Sequence, residues 1–151
     1  MSLRDCYCTP LRIARRLPRV DYDPCSNSRS VINAVKSFAR ERGENGLRVS
    51  WEGKSVGVNP PWSNIKPFAA KLWEADSFWF LVLDDPSTVW YGIATRFPCY
   101  KLEFKGRINF DAPPGIDTST NDRPLCLIVD PTMRERIGNN FRGMGKWWKS
   151  E

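Results

Sequence analysis

Ser55-Val56-Gly57-Val58-Asn59-Pro60-Pro61-Trp62, residues 55–62, decides the fold. Residues 55–58 read as a strand, and the two prolines must end it, because each lacks an N–H and has a fixed φ. Asn59 therefore stands at a strand's carboxyl end. Downstream, Pro67-Phe68-Ala69-Ala70-Lys71-Leu72-Trp73 has helical spacing. Phe78-Trp79-Phe80-Leu81-Val82-Leu83 is a continuous apolar run, as expected of a strand covered on both faces. Strand, helix, strand predicts an α/β open sheet whose ligands bind in the crevice beyond the strands' carboxyl ends.

Working upstream, a helix is expected over residues 10–17. Thr9 can cap it, Pro10 suits its first position, and Leu11, Ala14 and Leu17 make a stripe, with Pro18 as the stop. Val20-Asp21-Tyr22-Asp23 alternates as a short strand ending at Asp23, followed by a polar turn, Pro24-Cys25-Ser26-Asn27-Ser28. A second helix is predicted over 30–42, with Val31, Ala34, Val35 and Phe38 on one face, Ser30 as cap and Gly43 as stop. Toward the C-terminus the pattern predicts a helical stretch near 87–95 and strands around 100–104 and 107–110. A Pro/Gly-rich loop to about 123, a strand over 125–129 and a helical or irregular tail from 134 follow. There is no internal repeat, so residues 1–151 read as one domain, with a core over 9–130 and a basic, aromatic C-terminal tail over 131–151. Trp73, Trp79 and Trp90 fall at helix or strand spacing and are read as core.

A chain of 151 residues removes roughly two thirds of its unfolded surface from water on folding, enough for a real core. No apolar run approaches the ~18 residues of a spanning helix, so no membrane role is expected. Met1 to Asp5 carries an acid and no apolar stretch, so the chain is expected in the cytoplasm. The net charge of +6, spread along the chain, suits a polyanionic partner. Cys6, Cys8, Cys25, Cys99 and Cys126 make an odd number, and reduced thiols are expected. The chain has no histidine. That excludes Ser-His and Cys-His hydrolase arrangements and His-based metal catalysis, and no metal site is predicted.

The residue types at 59–62 suit a planar amino group as substrate. The lone pair of an exocyclic amine is conjugated with its ring. Two acceptors, the Asn59 side-chain oxygen and the Pro60 carbonyl, can take the two N–H hydrogens and draw the nitrogen toward tetrahedral geometry, with no general base. Pro60 and Pro61 hold the corner rigid, and Trp62 offers a face for an extruded base. The bland reading is a proline turn beside a buried tryptophan. Asp23-Pro24-Cys25-Ser26-Asn27-Ser28-Arg29-Ser30 is a second polar strand end, where a nucleotide-like cofactor is expected to lie; its bland reading is an Asp-Pro turn before a capped helix.

In order, Thr9-Pro10, Asp23-Pro24-Cys25-Ser26 and Asn59-Pro60-Pro61-Trp62 resemble the phage and prophage DNA N6-adenine methyltransferase family. The likeness extends to Gly46-Leu47 followed by Trp51, to Ser87-Thr88-Val89-Trp90 and to Gly106-Arg107-Ile108-Asn109-Phe110, covering roughly residues 9 to 130. The resemblance implies a Rossmann-like open twisted sheet and an S-adenosylmethionine-dependent transferase that modifies adenine N6 in DNA. It implies that Asn59, Pro60, Pro61 and Trp62 carry catalysis, and that Thr9, Pro10, Asp23, Pro24, Cys25 and Ser26 line the cofactor pocket. Two departures stand out: residues 26–30 lack the glycines of the usual cofactor loop, and the ribose-binding acid of the second strand has only Glu44 and Glu52 as nearby candidates. DNA contacts are expected from Arg107, Lys146 and Lys149, with the loop 111–123 and the tail residues Arg136, Arg142, Trp147 and Trp148. The alternative is a catalytically reduced relative that keeps the fold and binds nucleic acid or a protein partner; a third reading moves the same chemistry to adenine in RNA or a glutamine amide.

Overall fold

The computed structural model describes residues 8–106 and 124–150. Among them, seven strands form one open mixed sheet: β1 (Val20–Ser26), β2 (Ala34–Ala39), β3 (Ser55–Val58), β4 (Ser77–Leu83), β5 (Cys99–Phe104), β6 (Leu125–Val129) and β7 (Gly145–Ser150). Their order across the sheet is β2-β1-β3-β4-β6-β5-β7. The first four pair in parallel, β6 runs antiparallel between β4 and β5, and β7 adds antiparallel to β5 at the edge. The helices are α1 (Leu11–Ala14), α2 (Lys66–Lys71), α3 (Val89–Ala94) and α4 (Pro131–Ile137). No helix among the described residues is long and apolar enough to cross a membrane.

Alternation along β4 divides the core in two. Trp79 and Leu81 join Ile13, Leu17, Met133 and Ile137, so α1 and α4 cover that face. Phe78, Phe80 and Val82 join Phe68, Leu72 and Ala94, so α2 and α3 cover the other. The run is thus buried on both sides, as its continuous apolarity requires. Trp79 is fully buried; Trp73 and Trp90 are partly buried and pack on the second cluster. The Trp79 indole lies across β3 at Gly57, where an added Cβ would meet it at 2.4 Å. Only glycine tolerates that approach.

The helix expected over 30–42 is absent; the segment contains β2, ending in a 3₁₀ turn at Arg40–Arg42 stopped by Gly43 at φ 75°. Connection length explains it. β1 and β2 are parallel with Val20 beside Ala34, so residues 27–33 must travel back along the whole of the seven-residue β1. That is about 20 Å, which extended chain spans, whereas seven helical residues rise only about 10 Å. Propensity for a helix loses to the distance.

Other differences are smaller. β1 continues through Pro24 to Ser26 with a register shift after Asp23, so the expected turn begins later. The helix expected over 10–17 shortens to α1, and Thr9 does not cap it. α3 begins at Val89, where the Thr88 hydroxyl accepts from the Tyr91 N–H at 3.3 Å. The segment from 134 onward, expected to be a helical or irregular tail, completes α4 and supplies the edge strand β7. The strand at 107–110 and the loop to 123 lie outside the described residues.

Candidate functional site at the β1/β3 crevice

From β1 the chain crosses to β2 on one side, while β3 lies on the other, so β1/β3 is the sheet's topological switch point. Ligands of open α/β sheets bind in the crevice outside the carboxyl ends of the strands at such a point. Asp23 to Ser26 end β1, and Asn59 follows the end of β3. The ladder between them is registered at Tyr22↔Val56. Toward its amino end Asp21 accepts from the Ser55 N–H at 2.8 Å and from the Ser55 hydroxyl at 3.1 Å. Those bonds hold the Asp21 carboxyl below its usual range.

At the carboxyl end three separate segments join. The Cys25 thiol donates to the Asn59 carbonyl at 3.1 Å, and the Asn59 side-chain N–H donates to the Thr9 hydroxyl at 3.0 Å. Thr9 is 2% exposed, and this bond takes the place of the expected helix cap. With the amide nitrogen held by Thr9, Oδ1 is the end left over. Among the described residues no donor reaches Asn59 Oδ1 or the Pro60 carbonyl. Asn59, Pro61 and Trp62 are partly exposed while Pro60 is buried, so the proline corner is not sealed inside the protein. Trp62 packs one side on the α1/α4 cluster.

Asp23 has no exposed surface. Its Oδ2 accepts from the Ser30 hydroxyl at 3.1 Å, whereas Oδ1 is buried with no hydrogen-bond partner. Burial pushes its pKa up to about 6, against the Ser30 hydroxyl and the nearby Ser26 hydroxyl and Cys25 N–H, which pull it down. Burial, with the Asp23 carboxylate nearby, also pushes the Cys25 thiol well above its ordinary value, so it remains an S–H donor. The glycine-poor turn closes by a different device: Asn27 Oδ1 accepts from the Arg29 N–H at 2.8 Å and from the Cys8 thiol at 3.3 Å. No non-glycine residue described has positive φ, so the turn runs without a glycine conformation.

The Gly46-to-Trp51 segment packs against the same place. A Cβ on Gly46 would stand 2.1 Å from the Pro24 carbonyl oxygen, and the buried Trp51 indole donates to the Gly46 carbonyl at 2.9 Å. Of the two acids considered for the second strand, Glu44 is paired with Arg42 at 2.7 Å and Glu52 is exposed. Sequence reasoning missed Glu41, whose carboxylate accepts from the Ser28 N–H at the rim of the β1 turn. It follows β2 by two residues, and reading 34–39 as a strand would have found it.

The remaining expected contacts lie elsewhere. Arg107 and the loop 111–123 are outside the described residues. Lys146 and Lys149 are exposed on β7, at the opposite edge from β2. Arg136 donates to the Arg19 carbonyl at 2.7 Å. Trp147 is half-buried under Arg134, whose guanidinium is 4.1 Å from its ring centroid, while Trp148 is exposed.

Fold and site together define an open α/β sheet protein with a cluster of polar residues at its switch point. No family model, curated protein or solved structure matches the chain.

Proposed function

We propose that this chain transfers a methyl group from S-adenosylmethionine to the N6 amino group of adenine in DNA. The observation that carries the reading is the convergence of Thr9, Cys25 and Asn59 at the switch point, from three segments far apart in sequence. The crevice also suits the cofactor chemically: the orphan Oδ1 of Asp23 is a buried carboxylate oxygen in need of a donor, and an α-ammonium group is one. Asp23, Pro24, Cys25 and Ser26 would hold it from β1, Thr9 and Pro10 from the opposite wall, and Glu41 is placed to take a ribose hydroxyl. S-adenosylmethionine supplies an electrophilic methyl group when bound.

The chain's own part is positioning. Asn59 Oδ1 and the Pro60 carbonyl accept the two amino hydrogens and free the nitrogen lone pair. Thr9 fixes which end of the Asn59 amide faces the substrate, and Cys25 anchors its backbone. Trp62 stacks on the extruded base, an interaction worth about 1–3 kcal/mol. The test is incorporation of radiolabelled methyl groups into adenine-containing DNA. Activity is expected for the wild type and a loss of at least about 100-fold for Asn59→Ala, the size of effect seen when a single transition-state hydrogen bond is removed. A folded wild type that binds DNA but incorporates no label would leave the catalytically reduced relative as the reading.

A further inference from the structure

A second site lies at the far edge of the sheet. A cavity of about 310 Å³ opens between α3 and the β5/β7 ladder, lined in part by Tyr91, Thr95, Cys99, Lys101, Trp148 and Ser150. Register puts these groups together: Cys99 faces Ser150, Lys101 faces Trp148, and Glu103 faces Lys146 across the pair. It lies over β5 and β7, three and four strands from β3, about 14–19 Å at ~4.8 Å per strand. It is therefore separate from the crevice that holds Asn59.

The cavity's internal lysine is already paired, whereas the cations at its rim are exposed. Lys101 Nζ bonds Asp84 and Glu103, each at 3.1 Å, and the Tyr91 hydroxyl, so it offers no spare cation to a ligand. The Trp148 side chain lies beside Glu103 and, against burial and with Lys101, helps hold that carboxyl below its usual range. Trp148 is nonetheless 46% exposed, and Lys146 Nζ lies 4.1 Å from its ring centroid. Lys146 and Lys149 are exposed, and neither forms an ion pair among the described residues. The result is a compartment with aromatic and hydroxyl-bearing walls, whose one internal cation is already paired and whose edge carries two exposed cations. A planar, uncharged, polar ring tethered to a phosphate matches that arrangement, whereas a carboxylate or an aliphatic chain matches only one half of it.

We propose that this cavity binds an unstacked nucleobase of a single-stranded nucleic acid, with Trp148 as the stacking wall and Lys146 and Lys149 on the flanking phosphates. The site rests on the reading above for its class of partner, but not for its chemistry. It grips a flank of the strand, not the base that meets Asn59. Oligo(dT) separates the two, because thymine has no exocyclic amine for the proline corner. Fluorescence anisotropy with labelled oligo(dT) should show a wild-type affinity that Trp148→Ala weakens about 10-fold or more and Trp148→Phe largely retains. Joint Lys146→Gln and Lys149→Gln should flatten the salt dependence by about 0.7 in log–log slope for each phosphate that is no longer neutralised. The proposal is overturned if the wild type fails to bind or if Trp148→Ala binds within twofold of it. Absence of methyl transfer alongside Trp148-dependent binding would remove the enzyme reading and leave this site standing.

Discussion

Two buried aspartates each precede a proline toward the carboxyl side of the same sheet: Asp23-Pro24 within β1 and Asp130-Pro131 after β6. Asp130 is saturated. Its Oδ1 accepts from the Ser77 hydroxyl at 2.9 Å, the Phe78 N–H at 2.8 Å and the Met133 N–H at 3.3 Å, and its Oδ2 from the Thr132 N–H at 3.1 Å. It caps α4 and ties that helix to the start of β4. Asp23 leaves an oxygen unpaired in the same degree of burial, beside a crevice and not at a helix start. One dipeptide thus stands in two settings: around Asp130 donors fill the carboxylate and build structure, whereas Asp23 keeps one oxygen without a donor, the feature on which the proposed cofactor site rests.

Removing Asp130 should have the largest effect on stability. Asp130→Ala strands four donors, three of them main-chain, and is expected to lower unfolding free energy by about 3–5 kcal/mol in denaturant titrations. A loss no greater than that of Asp23→Ala would erase the contrast.

Asp23→Asn should act with opposite sign. The carboxyl's folded pKa of about 6 exceeds its reference value of 3.8, so the folded state holds the proton more tightly. Wild-type stability from this group is then lost as pH rises from about 4 through about 6, by up to about 3 kcal/mol, and stays low above that. Asp23→Asn is expected to flatten that slope and to be the more stable protein near pH 8, while losing S-adenosylmethionine binding. Parallel denaturation series at several pH values, with calorimetric cofactor titrations, measure both. An unchanged slope would show that Asp23 already has a partner.

The smallest effect is expected at Thr9. Thr9→Val removes the acceptor for the Asn59 amide and should change stability by no more than about 1 kcal/mol, while methyl transfer falls about 10-fold through misorientation of that amide. Equal losses in both would make Thr9 an ordinary core residue.

The parts of this fold that can be read in advance are those where local pattern and tertiary environment agree. β3, β4 and β6 are short, β-branched or continuously apolar, and Pro60 and Pro61 cut the chain where the sheet needs it cut. The candidate site is legible in part as residue types near strand ends: Asn59 follows the end of β3, while β1 runs on past Asp23 to Ser26. What stays hidden is set by distance and pairing. Residues 30–42 carry a helical stripe, yet the seven residues between β1 and β2 have too far to travel. The alternation of Lys146-Trp147-Trp148-Lys149 becomes a strand only because β5 offers an open edge. Thr9 before Pro10 looks like a cap until Asn59 claims its hydroxyl. Glu41 follows a strand whose residues carry a helical pattern, so nothing local marks it as the end of an element.

The protonated Cys25 carries a further consequence for any reaction in this crevice. Sulfur anions are strong nucleophiles toward sulfonium methyl groups, and a thiolate there would compete with the incoming base and alkylate the protein instead. Burial beside Asp23 keeps the proton on sulfur, and the Asn59 carbonyl occupies it. On the proposed reading, the anchoring thiol is thereby kept from becoming a methyl acceptor in competition with the base.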